Sequence, residues 1–136
     1  QRCDGVGTWM LKHVRYQEWL RGTSRTLWIH GILGSGKSIL ASTIIEHLET
    51  TRTGSACLLI FFDYLKKELQ TPHKIVIDLL KQLMLQHPDL SEPVRCLHRT
   101  FASLSTPPTT SDLLNVIHSE CQRFDDVRLV VDGLDE

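Results

Sequence analysis

The chain has 136 residues, 41% of them hydrophobic and 23% charged, which is an ordinary composition for one globular domain. Its 15 basic and 16 acidic residues nearly cancel, so the overall charge favours neither a nucleic acid nor an anionic membrane as a partner. The longest apolar run, residues 56–62, is too short to cross a bilayer, and no basic segment followed by an apolar one opens the chain. We therefore expect a cytoplasmic protein with no nucleic-acid and no membrane partner.

The first segment of the chain predicts a small amphipathic helix, because its apolar residues recur mostly at helical spacing after a glycine-containing entry at residues 5–8. Its aromatic side chains Trp9, Tyr16 and Trp19 are expected to pack in a core, and contact with an adenine base is the alternative. Residues 26–30 then form a short, bounded apolar run. This run predicts a buried strand.

A glycine-rich loop follows the predicted strand. Residues 31–38 read G-I-L-G-S-G-K-S and match the spacing G-x-x-x-x-G-K-[ST] of a phosphate loop. Glycines permit a tight turn whose N–H groups, together with the positive end of the next helix, bind phosphate. Lys37 is expected to reach the β- and γ-phosphates and to act in catalysis, and Ser38 is expected to hold Mg²⁺. The predicted nucleotide-binding residues are Gly31, Gly34, Ser35, Gly36, Lys37, Ser38 and Ile39.

The middle of the chain predicts alternating helices and strands. After the loop, apolar residues at three- and four-residue intervals indicate a helix that ends near the polar residues 50–55. Residues 56–62 run apolar without alternation, which is typical of a parallel strand covered by helices on both faces. A loop is predicted over residues 65–70, a helix from Thr71-Pro72 to His87-Pro88, a short helix over residues 91–101, and a loop over residues 103–110.

The last predicted helix is expected to be capped by Ser111-Asp112. Its buried face is predicted to contain Leu113, Leu114, Ile117 and Cys121. The widely spaced Cys3, Cys57, Cys96 and Cys121 contain no C-x-x-C pair, and no two of the 7 histidines are four residues apart. We interpret these residues as reduced thiols and as structural or surface histidines.

The chain closes with a β-branched strand that ends in acidic residues, from Arg128 to Glu136. In open parallel sheets, ligands bind beyond the carboxyl ends of the strands, so these acids are expected at the edge that receives the phosphate loop. Asp132 is predicted to hold Mg²⁺ together with Ser38. Asp135 and Glu136 follow at positions suited to a general base or to a group that orients the attacking water.

Taken together, these motifs resemble the NACHT domains of the STAND class of P-loop NTPases, and most closely the nephrocystin-like N-terminal NACHT module. The resemblance spans the whole chain, with residues 1–24 as an N-terminal helical flank and residues 25–136 as a partial NACHT domain from Walker A to Walker B. Leu33 stands where many members have proline, a position without a phosphate contact. The resemblance rests on residues 7–11 with Trp19-Leu20, on residues 27–31, on residues 61–64, on L-L-K-Q-L at residues 79–83, and on V-D-G-L-D-E at residues 131–136.

The resemblance implies an α/β fold, the three-layer P-loop NTPase sandwich with a mostly parallel sheet, of which this chain would be the N-terminal half. It also implies a signalling switch that exchanges ADP for ATP and hydrolyses ATP slowly with Mg²⁺, GTP being the alternative nucleotide. Homo-oligomerisation of the full-length protein and C-terminal ankyrin, WD-repeat or effector domains are implied as well. A strand expected between the two nucleotide motifs would lie beyond residue 136, so we expect the isolated chain to fold poorly or to bind nucleotide weakly.

Two other interpretations stay open. The first is a nucleotide-binding interaction or scaffold module with negligible turnover, which single-turnover hydrolysis would distinguish from a switch. The second is a small-molecule or nucleotide kinase, but the chain shows no arginine-rich lid between Phe62 and Arg128. Translocation along DNA or RNA is disfavoured, because the sequence has no basic stripe with interleaved aromatic residues.

Overall fold

The computed structural model describes residue 5 and residues 7–134. The chain forms two compact units, Gln1–Thr51 and Arg52–Glu136. Every helix in the described part of the chain is too short or too polar to span a membrane. In chain order the elements are α1 (Thr8–Leu11), α2 (Val14–Arg21), α3 (Lys37–Thr51), β1 (Ser55–Phe61), a 3₁₀ helix (Tyr64–Leu69), α4 (Pro72–Leu85), α5 (Glu92–Leu104), α6 (Thr110–Cys121) and β2 (Asp126–Asp132).

The first unit begins with two short helices instead of the single predicted one, because residues 12–13 break the helix between α1 and α2. Tyr16 and Trp19 are buried, which confirms the packing prediction for these two aromatic residues. The Tyr16 hydroxyl also lies 2.7 Å from Nδ1 of His47 on α3. Trp9 is 60% exposed, so the packing prediction is wrong for this residue.

The predicted strand at residues 26–30 is absent, which corrects the sequence-based expectation. This segment contains no helix and no strand, and Trp28 within it is 66% exposed. A strand requires a neighbour that satisfies its backbone N–H and C=O groups. The two strands of the described residues pair with each other and leave this segment without a ladder. An apolar run indicates that a segment tends to be buried, but it does not show whether a neighbouring strand is available for pairing.

Helix α3 starts at the predicted place, immediately after the glycine-rich loop. Its buried residues are Ile44 and Leu48, four positions apart, which confirms the predicted apolar face. The chain then turns at residues 53–54 and enters β1 at Ser55.

The second unit contains a parallel two-stranded sheet. The register pairs Ser55 with Asp126 at one end and Phe61 with Asp132 at the other. Burial alternates over the first half of β1, with Ala56 and Leu58 buried, so the uniform two-sided coverage predicted for this strand is not observed. The α/β class with a parallel sheet is confirmed, whereas the larger three-layer sandwich stays a prediction.

Charged side chains fix the start of this sheet. One carboxylate oxygen of Asp126 accepts a hydrogen bond from Arg52 Nη1 and another from Arg128 Nε, both at 2.7 Å. The backbone N–H of Asp125 donates to Gly54 O at 2.9 Å. The turn before β1 is therefore bonded to the turn before β2, which favours the observed register over a slipped one.

The outer edge of β1 is bonded by glutamine side chains. Gln82 of α4 exchanges two hydrogen bonds with the backbone of Leu59, and Gln86 exchanges two with the backbone of Cys57. Gln70 makes a further pair of bonds where β1 ends. We call Gln70, Gln82 and Gln86 the glutamine clamp. Helix α4 is thus attached to the sheet by backbone-directed bonds as well as by apolar packing.

Helix α4 begins as predicted, with the Thr71 side chain accepting from Lys74 N and with Pro72 in the first turn. The predicted loop at residues 65–70 is wrong, because residues 64–69 form a 3₁₀ helix. Helix α5 continues to Leu104, into the predicted loop. A core connects the three α-helices and comprises the buried residues Leu80, Val94, Leu113 and Val116.

Two predictions for α6 are corrected. The N-cap is Thr109 and not Ser111-Asp112, because Thr109 and Asp112 form a reciprocal capping box. Leu114 is 49% exposed and does not belong to the buried face. The buried residues of α6 are Leu113, Val116 and Glu120. Ile117 and Cys121 are partly buried and pack against the core, so the predicted face is confirmed except for Leu114.

A buried carboxylate stabilises the end of α6. Glu120 is 1% exposed, accepts from the Ser91 hydroxyl, and pairs with Arg123 Nη1 at 3.0 Å. Arg123 also donates to Asp89 O at 3.0 Å. Next to it, burial raises the pKa of the Cys121 thiol, and the charge of Glu120 adds to this effect. A raised thiol pKa agrees with the prediction of an ordinary reduced cysteine.

Candidate functional site

The glycine-rich loop in the first unit has the backbone conformation that its sequence predicts. Gly34 and Gly36 have φ angles of 78° and 89°, in the left-handed region that favours glycine. Lys37 follows Gly36 directly and is the first residue of α3. Successive N–H groups in such a turn form an anion-binding concavity, and the helix start adds its positive dipole end.

The side chain of Lys37 bonds back to the start of this loop. Its Nζ donates to Gly31 O at 2.8 Å and lies 3.4 Å from Ile32 O. A Cβ on Gly31 would stand 2.6 Å from the Ser35 hydroxyl oxygen, so the two ends of the loop are in close approach. The ammonium group is therefore held against the backbone carbonyls at the start of the loop.

The other predicted nucleotide-binding residues stand on the first turn of α3. Ser38 is exposed, and Ile39 is 51% exposed. Among the described residues, the structure thus brings the predicted residues from Gly31 to Ile39 together as one loop and one helical turn. A glycine turn, one cation and the start of a helix are the kinds of groups that bind phosphate.

The second unit contains the predicted metal ligand Asp132. It is the last residue of β2 and is half-buried. Its Oδ1 accepts from the N–H of Gly133 at 3.0 Å, and its carbonyl accepts from Phe62 N–H at 2.9 Å. The carboxylate therefore stands at the carboxyl end of a parallel sheet, where ligands of such sheets bind.

Gly133 makes this end of the sheet possible. Its φ angle is 79°, and a Cβ at this position would lie 2.3 Å from the Phe62 carbonyl oxygen. Neither the backbone conformation nor the contact tolerates a side chain. The glycine in D-G-L-D-E is consequently explained by the close approach of the two strand ends, which the sequence alone did not reveal.

Asp135 and Glu136, the predicted catalytic acids, lie outside the described residues. Lys37 and Ser38 belong to the first compact unit and Asp132 to the second, so each is described within its own unit. The roles predicted for these residues stay predictions.

Sequence reasoning missed a cavity in the second unit. It has a volume of about 300 Å³ and lies where both strands end. The position of its lining residues in the sequence could have predicted it. Several of them directly follow a predicted strand, and ligands bind at the carboxyl ends of parallel strands. Its lining residues are Phe62, Asp63, Tyr64, Lys67, Gln70, Gly133 and Leu134.

Comparisons with known proteins match this chain at the level of family. The family model described as Nephrocystin 3, N-terminal, matches residues 5–136. The Vegetative incompatibility protein HET-E-1 of Podospora anserina is 30% identical over 88 residues, which is 64% of this chain and 6% of that protein. The chain thus spans a small part of this curated relative. No solved structure matches.

Proposed function

Because the chain belongs to the nephrocystin 3 N-terminal family, we propose that it binds a nucleoside triphosphate through residues 31–39 and serves as the nucleotide-dependent part of a signalling protein. ATP is the first candidate and GTP the alternative, with Mg²⁺ as the accompanying ion. The similarity to a protein named for vegetative incompatibility supports a signalling role for the module.

One observation carries the proposal. Lys37 Nζ donates to Gly31 O at 2.8 Å across a loop whose Gly34 and Gly36 are both left-handed. A glycine turn and an ammonium group at the start of a helix are features that favour an anionic ligand. Phosphate is the ligand class that combines these contacts.

Asp132 and Ser38 are the proposed Mg²⁺ ligands. Mg²⁺ is usually bound through one or two protein oxygens together with phosphate oxygens and water, so a large protein ligand cluster is not required. A carboxylate at a strand end and a hydroxyl on the first turn of the phosphate-loop helix are suitable donors. With nucleotide bound, the ion would neutralise phosphate charge. Glu136 and Asp135 are proposed to orient or deprotonate the attacking water.

The binding test compares two lysine variants of the whole chain. We expect Lys37→Ala to weaken the affinity for Mg²⁺–ATP at least tenfold, because it removes the only side-chain cation predicted at the phosphates. Lys81→Ala on α4, an exposed lysine, is the matched control and should retain affinity. Titration calorimetry measures both. Equal affinities of the two variants would contradict the proposal.

Turnover is tested separately from binding. Under single-turnover conditions, Glu136→Gln should retain ATP and lose ADP formation if the module hydrolyses nucleotide. Undetectable turnover in the wild type, with binding retained, would favour a nucleotide-binding interaction module. Turnover that Glu136→Gln leaves unchanged would contradict the role proposed for Glu136. Homo-oligomerisation and repeat or effector domains elsewhere in the full-length protein remain proposals that these measurements do not require.

A further inference from the structure

The motif L-L-K-Q-L at residues 79–83 supports the family resemblance but has no role in the proposed nucleotide site. Its glutamine, Gln82, points at the sheet. Leu59 N–H donates to Gln82 Oε1 at 2.8 Å, and Gln82 Nε2 donates to Leu59 O at 2.8 Å. One side chain therefore satisfies both backbone groups of one strand residue, as a neighbouring strand would.

The same arrangement occurs one helical turn later. Cys57 N–H donates to Gln86 Oε1 at 2.9 Å, and Gln86 Nε2 donates to Cys57 O at 2.8 Å. Along a strand, the backbone groups of every second residue point to the same edge. The backbone groups of Cys57 and Leu59 therefore point to the edge opposite β2, and the two glutamines form hydrogen bonds with all of them.

The spacing of the two glutamines matches the spacing of the strand. Four residues of an α-helix rise about 6 Å, and two residues of a β-strand extend about 6.6 Å. Gln82 bonds the later strand residue and Gln86 the earlier one, so α4 runs antiparallel to β1 along this edge. Gln70 completes the row, because Asp63 N–H donates to Gln70 Oε1 at 2.9 Å and Gln70 Nε2 donates to Phe61 O.

The closed edge belongs to a strand with a high risk of self-association. β1 reads S-A-C-L-L-I-F and contains no charge, no proline and no glycine. Short segments of this composition pair readily with copies of themselves when their edge is open. No charged residue within β1 itself opposes such pairing, so protection has to come from another element.

We propose that the glutamine clamp closes the β1 edge against strand addition by a second copy of this chain, and that losing it creates a self-association surface on β1. The clamp satisfies the N–H and C=O groups that a second strand would need. This inference does not depend on nucleotide binding, since it concerns the second unit alone.

The test removes the bonds while keeping the helix. In the whole chain, Gln82→Met with Gln86→Met keeps side-chain length and helix propensity but removes all four bonds to β1. At micromolar concentration we expect the wild type to be monomeric and the double variant to form dimers or larger species by light scattering after gel filtration. Gln122→Met is the matched control, because Gln122 is exposed and its side chain contacts His118, not a strand.

Hydrogen exchange reports on the edge directly. In the wild type, the Cys57 and Leu59 amides should be protected although no strand of the described residues covers them. In the double Met variant diluted to its monomeric state, their exchange should accelerate roughly fivefold to tenfold, the loss expected for one net hydrogen bond at each amide. Protection should return on concentration, when β1 pairs with a second copy.

Two further results decide the proposal. A double variant that stays monomeric at all concentrations while both amides exchange freely would overturn it. If the double variant does not fold, the single variant Gln86→Met replaces it, because it removes the two bonds to Cys57 and keeps the two between Gln82 and Leu59. Gln86→Met should self-associate more than Gln122→Met, and a monomeric Gln86→Met whose Cys57 amide exchanges freely would also overturn the proposal.

Discussion

The absence of a side chain at Gly133 allows the ends of the two strands to come close together. We expect Gly133→Ala to destabilise the second unit by more than the roughly 1 to 2 kcal/mol that a left-handed backbone costs an ordinary residue. The excess arises because the new Cβ would lie 2.3 Å from the Phe62 carbonyl oxygen. Urea unfolding followed by circular dichroism measures the loss.

Gly22 supplies the matched control for this prediction. Its φ angle is 81°, but no atom lies within 4 Å of an added Cβ. Gly22→Ala should therefore lose only the backbone contribution. Equal losses for the two variants would show that the contact with Phe62 relaxes without cost.

Glu120 is a second residue whose importance is not visible in the sequence. It pairs with Arg123 while only 1% exposed. Arg123→Met should destabilise the chain by about 3 kcal/mol, because a buried carboxylate then lacks its cation. Adding Glu120→Gln should restore part of this loss, since a neutral amide can bond with Ser91 at a lower desolvation cost. The four proteins of this cycle are compared by urea unfolding, and a double variant less stable than Arg123→Met would contradict the explanation.

Among the elements, helix α6 depends on its capping box. The side chain and backbone of Thr109 donate hydrogen bonds to Asp112 and lower the pKa of that carboxyl below its ordinary value. A lowered pKa in the folded state stabilises the fold above the unfolded pKa of about 4. This contribution is lost as the pH falls through the folded-state pKa.

The pH dependence of stability tests this cap. Between pH 6 and pH 2.5, the wild type should lose more stability than Asp112→Asn, in which the titrating group is absent. Thr109→Val should show a reduced slope too, because it removes the donor hydroxyl. Urea midpoints measured across this range give the slopes. Identical slopes for the wild type and Asp112→Asn would exclude the capping box as their source.

Local signals explain which elements were predictable. Thr71 and Pro72 identified the start of α4, since a cap and its proline act within one turn. The cap of α6 was misplaced, because several cap-forming residues occur in succession and only the Thr109–Asp112 pair has the reciprocal geometry. The strand at residues 26–30 failed for a different reason, since pairing is a property of two segments and the pattern described only one.

At the scale of the whole molecule, nucleotide binding should increase the free energy of unfolding. A ligand present at 100 times its dissociation constant stabilises the folded state that binds it by about 2.7 kcal/mol. Mg²⁺–ATP should therefore raise the melting temperature of the wild-type chain in a concentration-dependent way. Lys37→Ala should keep the same melting temperature with and without nucleotide. An equal rise in both proteins would show that the nucleotide binds at a site that does not include Lys37. Differential scanning fluorimetry measures the effect.

The conformation of the glycine-rich loop was predictable from its sequence, and the contacts at the strand ends were not. Gly34, Gly36 and Lys37 act within eight consecutive residues, so their spacing contains most of their geometry. The cavity at the strand ends and the contact between Gly133 and Phe62 join segments about seventy residues apart in sequence. Such contacts depend on the register of β1 and β2, which no local pattern specifies.

The glutamine clamp also has a consequence for how this sequence can change in length. A residue inserted or deleted between Gln82 and Gln86 would rotate one glutamine by about 100° around the helix and away from β1. Changes of length in the connection at residues 87–90 or in the loop at residues 105–108 leave that pairing intact. Length variation within the family is therefore expected to fall in these connections, and helix α4 is expected to keep the interval between its two glutamines.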